Sequence, residues 1–103
     1  MSDTFIEGEV YFRITYPDPG FLYPRIESFV YVGMNLSDED DEDTWYFQFA
    51  DDYSRHGSFL TSTHSGCKVS CVGSSDLPEM YDSTELKRQL DLAESRRKNK
   101  RAR

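Results

Sequence analysis

The sequence predicts a small α+β domain, an antiparallel sheet of three to five strands with a C-terminal helix packed on one face. Three observations lead there: aromatic segments with strand-like alternation fill the first half, turn-forming clusters separate them, and the chain closes on a stretch of helical periodicity. Aromatic residues make up 15% of the chain, enough for a core built on rings and more than a disordered chain carries. At 103 residues there is room for one core and no second module. Residues 1–95 therefore read as one domain and 96–103 as a basic C-terminal tail.

Val10 to Tyr16 alternates, placing Val10, Phe12, Ile14 and Tyr16 on one face, expected to line the core, and Arg13 and Thr15 on the other. The strand stops at Pro17-Asp18-Pro19-Gly20, where proline fixes φ and glycine accepts φ > 0. Phe21-Leu22-Tyr23-Pro24 follows as an apolar loop or short helical turn. Ile26 to Leu36 is apolar on both sides, as a central strand is. Thr44 to Phe49 alternates again, with Trp45, Phe47 and Phe49 together, and forms a hairpin with the second strand.

Ala50 to His56 is polar and ends at Gly57, which predicts a helical turn or wide connection. Ser58 to Thr63 and Gly66 to Val72 predict a fourth strand or a second hairpin. The closing helix is expected from about Asp82 to Arg97. Asp82 serves as N-cap, Glu85 as its capping-box partner and Tyr81 as a staple against Leu86. Leu86, Leu90 and Ala93 then recur on one face. One helix covers one side of a sheet, which leaves Tyr11, Phe29, Tyr31 and Tyr46 on the other. That face is either a protein interface or is covered by Phe21 to Tyr23.

The connection between strands two and three is the run Asp38-Glu39-Asp40-Asp41-Glu42-Asp43. Six like charges repel and stay hydrated, so the run is an exposed loop with a strong negative field. The net charge of -7 hides a division. Residues 1–53 hold thirteen acids against two bases, a net of -11, and residues 54–103 hold ten bases against six acids, a net of +4. Six of those bases lie in Arg96 to Arg103.

No apolar run approaches the ~18 residues of a membrane span, and Met1-Ser2-Asp3 does not begin a signal peptide, so a cytoplasmic protein is expected. Cys67 and Cys71, on a strand, stand ~13 Å apart, beyond the ~7 Å that a disulfide spans, and read as free thiols.

The acidic run alternates like the start of a calcium loop, but Asp43 stands where the turn needs glycine and Phe49 where a bidentate Glu is needed. His56, His64, Cys67 and Cys71 have metal-ligand chemistry without the paired spacing of a structural zinc site. Neither a metal nor a cofactor is expected. A nucleophile elbow, oxyanion donors and a phosphate loop are all missing from the sequence, so an enzyme is not expected. The basic tail has the composition of a nucleic-acid arm, but the remaining body carries -13 and repels a polyanion, so direct nucleic-acid binding is not expected either.

A protein-binding inhibitor or adaptor is the remaining class. Its expected docking residues are Asp38, Glu39, Asp40, Asp41, Glu42, Asp43, Asp51 and Asp52, with Tyr31 and Tyr46 as aromatic contacts for a basic protein partner. A homodimer is compatible with the sequence. In overall character, small, acidic and without catalytic machinery, the chain resembles the bacterial immunity proteins. That resemblance implies a cognate toxin or nuclease as the partner. The alternatives are an anti-defence protein imitating nucleic-acid phosphates, or a nucleic-acid-associated protein using the basic arm.

Overall fold

The computed structural model of the chain describes residues 5–61 and 68–101. Five strands form one antiparallel, curled sheet in the order β4-β3-β2-β1-β5. They are β1 (Val10–Thr15), β2 (Arg25–Met34), β3 (Thr44–Phe49), β4 (Val69–Gly73) and β5 (Met80–Tyr81). Helix α1 (Ala50–His56) follows β3 directly, a 3₁₀ turn (Leu77–Glu79) leads into β5, and α2 (Ser83–Arg101) closes the described chain. The expected α+β class, the strand count and the C-terminal helix on the sheet are all present. Cys67, His64 and the expected strand over Ser58 to Thr63 fall wholly or partly outside the described residues.

The core lies on the opposite side of β1 from the one expected. Tyr11 is buried while Val10 is 40% exposed. Directly opposed residues share a sheet face, and the pairs Tyr11 with Phe29, Tyr31 with Phe47 and Trp45 with Val72 put six core residues on one side. Leu77 and Met80 complete this cluster. Because Val72 belongs to one sheet edge and Met80 to the other, the curl wraps the cluster. Phe5 plugs it, its ring 4.8 Å from that of Tyr11 and 5.3 Å from that of Phe47.

Arg13 explains the reversal. It projects on the core side and is only partly solvated there: its guanidinium sits 4.9 Å from the Phe29 ring centroid and pairs with Glu27 Oε1 at 3.0 Å, directly across the strands. A long stem with a paired head covers apolar surface as a hydrophobe does.

The second sheet face is covered by two helices, where one was expected. α1 packs against β2 and β3, and α2 packs against β1 and β5. What fixes α1 is Gln48, fully buried in β3. Its Nε2 donates to Asp52 Oδ2 (2.7 Å) and to the Gly57 carbonyl (3.0 Å), and its Oε1 accepts from the Phe59 amide (2.8 Å). α2 starts as expected, the Glu85 amide donating to Asp82 Oδ1 at 2.8 Å. Glu85 does not complete the capping box, because its carboxylate takes Arg88 and Gln89 instead. On α2 the buried residue is Ala93, with Leu86 and Leu90 only half-buried. The helix runs on to Arg101, so residues 96–101 are its last turns and not a tail. No helix among the described residues is long and apolar enough to cross a membrane.

Candidate functional site

The acidic loop leaves β2 at a bulge. The β2–β3 register shifts between Tyr31 and Gly33, leaving Val32 without an opposite residue, and Gly33 adopts φ 146. A Cβ there would meet Leu36 Cδ2 at 3.0 Å, so glycine lets Leu36 fold back over the strand. Such bulges bend a strand and re-aim the chain beyond them.

Past the bulge, Asn35 braces the neck of the loop. Its backbone φ of 53 turns the chain and its amide donates to the Thr44 carbonyl (2.7 Å). Its side chain accepts from the Thr44 amide (2.8 Å) and donates to Asp43 Oδ1 (3.1 Å). Ser37 and Asp40 close a turn on each other, the Asp40 amide donating to the Ser37 carbonyl (3.1 Å) and the Ser37 amide to Asp40 Oδ2 (3.2 Å). The Tyr46 hydroxyl donates to the same Oδ2 at 2.7 Å. That bond to a carboxylate pushes the Tyr46 phenol up to about 12, with burial adding to it.

The six carboxylates thus divide. Asp40 and Asp43 hold the loop in shape. Asp38, Glu39, Asp41 and Glu42 are exposed, and their side chains have no hydrogen-bond or ion-pair partner among the described residues. A braced scaffold presenting four unneutralised carboxylates can attract and orient a cationic surface at low conformational cost.

The other expected docking residues are not gathered there. Asp51 and Asp52 sit on α1, at the far end of β3 from the loop, about 17 Å along the strand. Asp51 pairs with Arg55 at 2.9 Å, and Asp52 accepts from Gln48 and from the Lys68 amide (3.3 Å). Tyr31 is corrected from an open face to the core: it is 6% exposed, against Phe47 at 5.3 Å between ring centroids. Burial pushes its phenol above the ordinary value, with Glu7 adding to the shift. Tyr46 is 8% exposed, so it supports the loop from beneath. Its ring stacks on Phe59 with a 6.3 Å centroid separation.

Asn35 and Gly33 are the residues that sequence reasoning missed. Their signal was the Gly33-Met34-Asn35 step between a hydrophobic strand and a charge run, since Gly and Asn are the residues that tolerate left-handed backbone. Cys71 is free and exposed. Among the described residues no group of three or more His, Cys, Asp or Glu side chains is placed to hold a metal ion. Comparison with protein-family models, with curated proteins and with solved structures returned no match to this chain.

Proposed function

We propose that this chain is a non-enzymatic protein-binding module that docks a basic partner through the Asp38–Asp43 loop, as an inhibitor or adaptor would. The observation that carries the reading is the braced loop with four carboxylates that satisfy nothing within the fold. Charges that repel one another cost stability, and Asn35, Ser37 and Tyr46, besides closing the hairpin, hold them in one shape, which lowers the ordering cost of docking a partner. The immunity-type version of this reading has the loop cover the substrate groove of a basic toxin in the bacterial cytoplasm.

Affinity capture from the native host tests it, with the chain and its Asp38→Asn/Asp41→Asn/Glu42→Gln variant as parallel baits. These three side chains make no hydrogen bond or ion pair among the described residues, so the variant should keep the fold. The proposal expects a basic protein retained by the first bait and depleted at least about tenfold on the second, as loss of ~1.4 kcal/mol would give. Equal recovery on both baits, or an acidic partner, refutes it.

A further inference from the structure

A second charged pole lies at the other end of β2. The acidic loop leaves this strand after Met34, whereas residues 16–24 join β1 to β2 at the Arg25 end, ten residues or about 30 Å away. The basic end of α2 lies at that same far pole. Arg96 donates to the Phe21 carbonyl (3.1 Å) and Arg97 to the Leu22 carbonyl (2.7 Å), and the Arg96 guanidinium lies 5.8 Å from the Tyr16 ring centroid.

The turn between β1 and β2 is held under strain. The Asp18 carboxylate accepts from the amides of Leu22 (2.8 Å) and Tyr23 (3.0 Å); these bonds, the one from Leu22 first, hold its pKa below the ordinary 3.8. Phe21 is thereby kept at φ 56, a left-handed conformation that bulky L residues rarely adopt. Glycine would make this turn at no steric cost. Here the position is Phe21, 54% exposed with its ring set edge-to-face on Tyr16 at 5.3 Å, and Tyr23 is 60% exposed. Retained strain of this kind clusters at ligand clamps. A cleft of about 410 Å³ adjoins the turn, lined by Gly20, Leu22, Arg96, Asn99 and Lys100.

We propose that this pole binds single-stranded nucleic acid, with phosphates in the Arg96–Lys100 cleft and bases stacked on Phe21 and Tyr23. Cations alone would suit any acidic partner. Two exposed rings on a fixed turn beside them match a polymer that alternates charge with planar faces, and this pairing is how sequence-tolerant single-strand binding works. The net negative charge of the chain does not oppose it, because the acidic loop lies about 30 Å off and screening acts within ~8 Å at physiological ionic strength. Of the nearer carboxylates, Glu94 pairs with Lys98 at 3.6 Å and Asp18 is held by the turn amides. Asp91 is exposed on α2 about 7.5 Å along the helix from Arg96 and, among the described residues, is the one local charge that works against a phosphate. The inference rests on different residues from the acidic-loop reading and stands or falls separately.

The test is fluorescence anisotropy of a labelled oligouridylate of about twelve nucleotides, within the site size of such grooves, titrated with the full chain over a salt series. Expected is binding that weakens linearly in log salt, with the slope reduced by about 1.4 in the Lys100→Gln/Arg101→Gln variant, about 0.7 per cation removed. Phe21→Gly and Tyr23→Ser should each weaken binding by at least about fivefold. Phe21→Gly relieves the φ of 56 but also removes the edge contact of the Phe21 ring with Tyr16 at 5.3 Å, so its unfolding midpoint is measured alongside. Tyr23→Ser, which leaves that contact in place, keeps the test decisive. No binding at low salt overturns the proposal. So does tighter binding of a duplex, or binding that polyglutamate competes away and that ignores both aromatic substitutions, which would make the pole a protein-docking surface.

Discussion

The Tyr46 hydroxyl donates a 2.7 Å hydrogen bond to Oδ2 of Asp40, so a residue of the central sheet holds the acidic loop from below. The bond requires the phenol proton, and the folded pKa is raised from 10.0 to about 12. A group whose folded pKa is raised contributes fully below its unfolded value and loses that contribution as pH rises through the folded one. Stability should therefore fall across the window from pH 10 to 12, by more in the parent chain than in Tyr46→Phe. An ultraviolet difference titration of the tyrosines checks the assignment. Asp40→Ala should bring one late-titrating phenol back toward 10.0, and an unchanged titration curve would mean that the bond does not form.

Gln48 is the polar centre of the second sheet face, and its three hydrogen bonds join β3, α1 and Phe59. Gln48→Ala leaves the Phe59 amide and the Gly57 carbonyl without this partner and should cost about 3 kcal/mol in denaturant unfolding. Gln48→Glu keeps the acceptor but sets a second carboxylate against Asp52 and should be worse above neutral pH than below it. Equal stability at both ends of the range would show that the two side chains do not meet.

The helix contact is tightest at Ala93, which is 0% exposed. Enlarging it to Leu should cost about 1–3 kcal/mol by overpacking. Leu90 is only half-buried, so Leu90→Ala should cost about 1–2 kcal/mol, less than truncating a fully buried leucine. Lys87→Ala, on the exposed side, should stay within about 0.5 kcal/mol. Denaturant midpoints for the three variants check the order, and a silent Ala93→Leu would place the helix elsewhere.

At the loop neck, Gly33→Ala combines a strained φ of 146 with a 3.0 Å approach to Leu36 and should cost about 1–3 kcal/mol. Leu36→Ala removes the obstacle without relieving the φ, so the double variant should recover part of the loss. Full additivity in that cycle would mean that Leu36 does not lie over Gly33.

Much of the architecture was legible because periodicity and turn chemistry are local. The hairpin of β2 and β3, the proline turn after β1 and the Asp82 cap all come from short-range rules. The core face of β1 was not legible, since Arg13 counts as polar in any alternation while its stem and paired head behave as cover for Phe29. Gln48 misled in the same way: between Phe47 and Phe49 it reads as a solvent-facing residue, and its burial depends on α1 folding back to supply Asp52 and Gly57. Both failures are tertiary, a polar group satisfied by partners that the sequence brings together only on folding. In the candidate site, the exposure of the carboxylates was plain from charge repulsion. Their bracing by Asn35 and Tyr46, and the distance of Asp51 and Asp52 from them, depended on register.

If the exposed carboxylates of the loop steer a basic protein to this fold, association must be fast, salt-dependent and sensitive to their removal. Stopped-flow association of the captured partner with the parent chain and with the Asp38→Asn/Asp41→Asn/Glu42→Gln variant, over a series of ionic strengths, measures this. Rim charges act mainly on encounter, and salt screens them within ~8 Å at physiological strength. The on-rate should fall steeply with salt for the parent and show a lower and flatter dependence for the variant, with off-rates that agree within about threefold. On-rates that are the same for both proteins and indifferent to salt would contradict it, and would leave the loop as a connection that keeps the chain hydrated.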